Sequence, residues 1–94
     1  FSLMEQLGNI GSEVSRALKW REKDEKLFNN AVERALELFD LTLDDSRWRG
    51  RLLEIARARE VFLDAVSGGK EYGSDLKDLE RYFYYFAFVS RLRQ

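Results

Sequence analysis

The sequence contains no cysteine, no histidine and no proline. Without cysteine it has no disulfide, no thiolate ligand for zinc and no thiol nucleophile. Without histidine it lacks the commonest metal ligand and the usual general base at neutral pH. We therefore expect a protein that is not an enzyme and that holds no cofactor and no metal ion.

Long apolar runs and an excess of positive charge are missing as well. No segment approaches the roughly 18 to 20 apolar residues that a membrane-spanning helix needs, and no basic stretch precedes an apolar signal segment. We expect a cytoplasmic protein with no membrane contact. The 16 basic and 17 acidic residues give a net charge of −1, so the overall positive field of general nucleic-acid binders is absent.

What the chain does have is the composition of one globular domain. It is 94 residues long, 45% hydrophobic and 35% charged, which is enough apolar surface for one core and enough charge for a solvated exterior. We expect a single domain over residues 1–94.

Apolar residues recur at three- and four-residue spacing in four segments, which predicts four amphipathic helices. The first should cover residues 3–23. Gly8 and Gly11 within it either let a neighbouring helix come close or mark a loose first turn. The second helix should begin after Asp24, whose side chain is a good N-terminal cap.

The third and fourth helices are separated by a predicted loop. The third should begin between residues 43 and 49 and end at residue 67, ahead of two glycines. A glycine-rich loop over residues 67–73 then precedes a fourth helix over residues 75–92, with Ser74 and Asp75 as candidate caps. The predicted fold class is an all-α, antiparallel up-and-down four-helix bundle.

Residues 47–59 form a candidate contact for an anion or a nucleic acid, since they hold five arginines and a single acidic residue. Three of these arginines surround one tryptophan, a pattern typical of sites where guanidinium meets phosphate and indole stacks on a base. The alternative is that the tryptophan covers the end of the bundle among solvated arginines. The residues are Arg47, Trp48, Arg49 and Arg51.

Arg59 belongs to the same candidate contact but falls near the centre of the apolar stripe of the third helix. An unpaired buried guanidinium would be strongly destabilising. We therefore expect an ion pair with Asp40, Glu37 or Asp64, or a charged head at the edge of the bundle. The alternative is an arginine that binds an anion in a pocket between helices.

The fourth helix has more apolar residues than one buried stripe uses. Leu79, Phe83 and Phe86 can fill the core, which leaves a second strip on a neighbouring side of the helix. That strip either tucks against a flanking helix or forms an interface with a subunit or partner, since exposed tyrosine-rich patches are typical binding surfaces. The candidate interface residues are Tyr82, Tyr84, Tyr85, Phe88 and Leu92, with Trp20 of the first helix as a further aromatic outside the stripes.

Six segments, spread over most of the chain, carry a resemblance to known proteins. They are IGSEV at 10–14, ALKW at 17–20, ERALELFDLT at 33–42, AREV at 58–61, EYGS at 71–74 and YFYYF at 82–86. In these segments the chain resembles a family of small uncharacterised bacterial helical proteins whose genes lie beside minimal nucleotidyltransferases. The bundle of that family is similar to the HEPN and nucleotidyltransferase substrate-binding group.

The resemblance implies a paired role, in which a helical subunit dimerises or binds a nucleotidyltransferase as in a toxin–antitoxin pair. Active HEPN ribonucleases have an arginine followed four to six residues later by histidine, so no catalytic residue carries over to a chain without histidine. We expect a non-catalytic interaction module that is a homodimer or the helical partner of a minimal nucleotidyltransferase. The alternative is a nucleotide- or RNA-binding bundle that uses residues 47–59.

Overall fold

A computed structural model describes residues 2–70, 73 and 75–92. Within this part of the chain there are four α-helices and no strand, which confirms the all-α four-helix fold. The helices are α1 (Leu3–Trp20), α2 (Glu25–Leu43), α3 (Leu52–Val66) and α4 (Leu76–Leu92), and a 3-10 helix (Ser46–Arg51) precedes α3. The antiparallel order of the helices and the single domain over residues 1–94 stay predictions.

The first two helices are set by their caps. α1 begins with a capping box, in which the Ser2 hydroxyl accepts from the Glu5 N–H and the Glu5 carboxylate accepts from the Ser2 N–H. The expected end of α1 near residue 23 was wrong, since the helix ends at Trp20. Asp24 takes an extended backbone to cap α2, where its carboxylate accepts from the Leu27 N–H at 3.0 Å. Residues 21–23 form the turn that this cap requires.

The third helix begins in two stages. Asp45 caps the 3-10 helix by accepting from the Arg47 N–H at 3.0 Å, within the predicted range of starts. Trp48 then leaves helical geometry, with φ −107° and ψ 24°, so regular α-helix begins only at Leu52. The predicted glycine stop is confirmed: α3 ends at Val66, and Gly68 has φ 107°, a conformation that favours glycine.

The fourth helix follows the predicted loop. Its cap Asp75 accepts from the Lys77 N–H at 3.0 Å, whereas the candidate cap Ser74 lies outside the described residues. Gly73 has φ 66°, as expected of the glycine-rich connection. The predicted core positions Leu79, Phe83 and Phe86 of α4 are all buried.

Three fully buried phenylalanines from different helices form the centre of the core. The ring of Phe39 in α2 lies 5.8 Å from that of Phe62 in α3 and 5.9 Å from that of Phe83 in α4, measured between ring centroids. Aromatic pairs at such distances stabilise beyond their buried area. They hold α2, α3 and α4 around one point, while α1 adds buried aliphatic side chains beside them.

α1 lies between α2 and α4, and both pack more extensively on it than α3 packs on any helix. A Cβ added at Gly11 would lie 2.6 Å from the Cβ of Phe83, so the bare backbone at this position is what lets α4 come close. This confirms the first of the two alternatives for the α1 glycines at Gly11. None of the described helices combines the length and apolar character needed to cross a membrane.

Candidate functional site

α4 exposes a row of large apolar side chains that we name the outer strip. Its members are exposed to 64%, 61%, 49% and 70%, in chain order. They are Tyr84, Tyr85, Phe88 and Leu92. Their exposure is the condition that an interface with another chain requires, since a strip tucked against a flanking helix would be covered.

The outer strip lies across α4 from the core rather than beside it. At 3.6 residues per turn, Tyr85, Phe88 and Leu92 point roughly 170° away from the mean direction of the buried α4 side chains. Tyr84 lies at the border of the strip, where it lines a groove of about 250 Å³ between α1 and α4. The expected neighbouring strip was therefore misplaced, and from Phe83 to Leu92 α4 has large apolar side chains on two opposite faces.

Tyr82, also a candidate interface residue, is engaged within the chain. Its hydroxyl donates to Glu54 Oε1 at 2.9 Å, and its ring packs edge-on against Phe83 and Phe86. Burial and the hydrogen bond to Glu54 raise the pKa of Tyr82 to about 12. Because Arg51 Nε binds the other Glu54 oxygen at 3.0 Å, the three residues tie α4 to the start of α3.

Trp20, the remaining candidate interface residue, is the last residue of α1. It is half-buried, and the Nζ atom of Lys19 lies 4.9 Å from the centroid of its ring. Such a contact is a cation–π interaction between neighbours in sequence. Trp20 is on a different helix from the outer strip, so we do not include it in that surface.

Trp48 lies on α1 through two polar bridges that the sequence did not predict. Its Nε1 donates to Gln6 Oε1 at 3.1 Å, and Gln6 Nε2 donates to Asp45 Oδ2 at 3.2 Å. Arg47 stacks its guanidinium 4.8 Å from the centroid of the indole and pairs with Asp45 at 2.6 Å. These contacts are those of a tryptophan that covers the end of the bundle, the second of the two alternatives for this segment.

Most arginines of the candidate anion contact are paired with carboxylates of the same chain. Besides Arg47, Arg51 pairs with Glu54, and Arg59 Nε lies 2.9 Å from Asp40 Oδ1, one of its three expected partners. Hydrogen bonds from Arg47 hold the pKa of Asp45 well below its usual range. Arg49 is exposed and forms no ion pair with any described residue.

Glu13 is a buried carboxylate that sequence reasoning missed. It pairs with Arg16, one turn on, at the side of a groove of about 540 Å³ between α1 and α2. Helical spacing could have revealed its burial. Glu13 follows Ile10 by three residues and precedes Ala17 by four, which places it on the apolar face of α1. No cluster of acidic residues in the described part of the chain is arranged to hold a metal ion.

The chain matches no family model, no curated protein and no solved structure. The surfaces described above are therefore the basis on which its function is argued.

Proposed function

We propose that this protein is a cytoplasmic, non-catalytic helical module that binds another protein subunit through the outer strip of α4. The subunit is a second copy of the chain or a minimal nucleotidyltransferase, as in a toxin–antitoxin pair. The observation that carries the proposal is the strip itself, in which four large apolar side chains average about three-fifths exposure.

The size of the strip supports an interface. Large side chains of this kind bury about 150 to 250 Å² each when fully covered. At the exposures given above, the strip presents on the order of 500 Å² to solvent. Contiguous apolar patches of roughly 300 to 600 Å² are the largest on typical monomers and are often functional.

The chemistry of the strip also suits a protein partner. Tyrosine and phenylalanine are enriched at the centres of interfaces, where charged residues are depleted. None of the four residues is charged, and the hydroxyls of Tyr84 and Tyr85 can bind water or a partner at the rim. A partner that covers the strip gains about 25 cal/mol for each Å² of apolar surface removed from water.

The nucleotide- or RNA-binding alternative has weaker support. Arg47, Arg51 and Arg59 each hold a carboxylate of the same chain, which neutralises part of the positive charge that a phosphate would meet. Arg51 and Arg59 are also eight residues apart, which is about 12 Å along a helix. Retention of the protein on mixed RNA at low salt tests this alternative.

The proposal is tested by measuring mass in solution with and without a candidate partner. The wild-type chain is purified alone and after co-expression with a minimal nucleotidyltransferase, and light scattering gives the mass of each sample. We expect an assembly in at least one sample. The double substitution Tyr85→Glu and Phe88→Glu should abolish it, because two carboxylates would have to be removed from water at the interface.

A matched control separates the outer strip from exposed apolar residues in general. Leu41 and Leu53 are exposed to 64% and 82% and lie outside α4, so the double variant Leu41→Glu and Leu53→Glu adds the same charge elsewhere. It should assemble as the wild type does. A wild type that stays monomeric alone and in the presence of the nucleotidyltransferase would overturn the proposal.

A further inference from the structure

We infer that the occupant of the outer strip is a second copy of this chain, with the two α4 helices antiparallel across a two-fold axis between Tyr85 and Phe88. This inference rests on the proposed function and names the partner. In this arrangement Tyr85 of each chain faces Phe88 of the other, and Leu92 of each chain lies at the end of the contact.

The area of the strip favours a second copy. One strip exposes on the order of 500 Å², so two strips that cover each other remove about 1,000 Å² from water. This total is at the lower bound of about 1,000 Å² for a specific interface and well below the 2,000 Å² or more of obligate complexes. A two-fold dimer reaches this bound when each copy covers the whole outer strip of the other, Tyr84 included, because each copy supplies the same patch to the other.

The pattern of the strip is self-complementary. A two-fold interface places the same residues on both sides, so a charged patch would face its own charge. The outer strip contains only tyrosine, phenylalanine and leucine, and these residues pack against copies of themselves without repulsion. Aromatic rings from the two chains can also pair at the offset or edge-on geometries that stabilise such contacts.

Arg81 decides between the two directions of pairing. It is exposed and lies one turn before Tyr85, on the same side of α4. In a parallel pair, Arg81 would lie beside its own copy, and the like charges would repel. In the antiparallel pair Arg81 faces the uncharged Leu92 of the second chain in place of its own copy, and Arg91 and Arg93 adjoin that leucine in the sequence.

The absence of cysteine makes the arrangement testable by cross-linking, since an introduced cysteine is the only thiol in the chain. We would prepare Tyr85→Cys and Phe88→Cys separately and oxidise each alone and in an equal mixture. The antiparallel register brings residue 85 of one chain near residue 88 of the other. The mixture should therefore form several-fold more covalent dimer than either variant alone.

Control experiments test whether the cross-link is specific to the outer strip and whether each variant folds. Leu53→Cys, an exposed position on α3, should give no more covalent dimer than random collision does. The positions chosen on α4 are exposed, so circular dichroism of each variant should match the wild type. The wild-type mass should rise with protein concentration and reach twice the chain mass.

Other results would overturn the inference. More covalent dimer in the separate variants than in the mixture would indicate parallel pairing, and preferential cross-linking through Leu53→Cys would indicate a different surface. A wild type that is monomeric at every concentration but binds the nucleotidyltransferase through the outer strip would refute the second copy and leave the proposed function standing. Monomers that bind nothing would refute both.

Discussion

Tyr82 is partly exposed to solvent and also makes contacts that join two helices of the chain. Its ring faces solvent in part, but its hydroxyl is committed to Glu54 and its edge to Phe83 and Phe86. A phenol held in this way resists ionisation, because the phenolate would be partly removed from water, would lose its hydrogen bond and would lie close to a carboxylate. Tyr82 therefore joins helices of one chain, whereas its neighbours Tyr84 and Tyr85 are exposed to 64% and 61%.

The raised pKa of Tyr82 predicts a loss of stability at high pH. The pKa is about 12 in the folded chain against an ordinary value of 10.0, so the fold favours the protonated phenol. Its stabilising contribution is complete below pH 10 and is lost as the pH rises from about 10 to 12. The difference in phenolate absorbance between the wild type and Tyr82→Phe should titrate near pH 12.

A difference curve centred near pH 10 would contradict this assignment. Glu54→Gln is the matched control, since it keeps a hydrogen-bond acceptor and removes the charge. It should move the titration of Tyr82 part of the way back, because burial is the larger cause of the shift and the hydrogen bond to Glu54 is the next.

Side-chain partners could be predicted from the sequence only where regular helices determine them. The Asp24 cap follows from helical spacing. The cost of an unpaired buried charge predicted a carboxylate partner for Arg59, with Asp40 as one of three candidates. The bridge from Gln6 to Trp48 spans 42 positions in the chain. It depends on how an irregular segment lies against α1, which local periodicity does not determine.

At the scale of elements, the closest packing is that of α1 on α4 at Gly11. An alanine there would gain about 1 kcal/mol of helix propensity. Its Cβ would also stand 2.6 Å from the Cβ of Phe83, and overpacking of this kind costs about 1 to 3 kcal/mol. The clash involves an atom next to the backbone, so α4 must move away and the helix propensity does not compensate.

We therefore predict that Gly11→Ala lowers the free energy of unfolding by about 1 kcal/mol, the balance of about 2 kcal/mol of overpacking against about 1 kcal/mol of helix propensity, measured by urea denaturation. Gly50→Ala is the control, because a Cβ at Gly50 meets no atom within 4 Å. It should leave stability unchanged or raise it by less than about 1 kcal/mol. Equal stability of the two variants would show that α1 and α4 do not depend on a bare backbone at their crossing.

The sequence predicted which elements form better than where they begin and end. Capping residues and paired glycines predicted the starts of α2 and α4 and the end of α3, since these signals act locally. The 3-10 start of α3 was not predictable. Trp48 leaves helical geometry while its indole is bound to Gln6 of α1, so a tertiary contact accompanies the break. Helical geometry could have shown that the outer strip lies opposite the core side of α4. That prediction required knowing which α4 residues are buried.

At the scale of the whole molecule, the balance of charge separates the two functions by their response to salt. Contact through four arginines with a single-stranded nucleic acid should weaken roughly 50-fold between about 50 and 200 mM salt. An interface of uncharged aromatic residues is screened very little.

We predict that the dissociation constant of the assembly changes by less than about threefold over this range, measured by light scattering at several protein concentrations. The double variant Leu41→Glu and Leu53→Glu, which alters net charge outside α4, should give the same flat response. An assembly that falls apart as salt is added would point to the arginines of residues 47–59 in place of the outer strip.

Because α4 is apolar on two opposite faces, folding of one chain satisfies only one of them. The stability of the folded state therefore depends on protein concentration. A partner that binds only folded chains through the other face shifts the folding equilibrium toward them. At low concentration, a newly synthesised chain would expose its apolar outer strip to chaperones and proteases. At high concentration, association with other chains would bury the strip. The abundance of such a protein in the cell should then rise more steeply than its rate of synthesis.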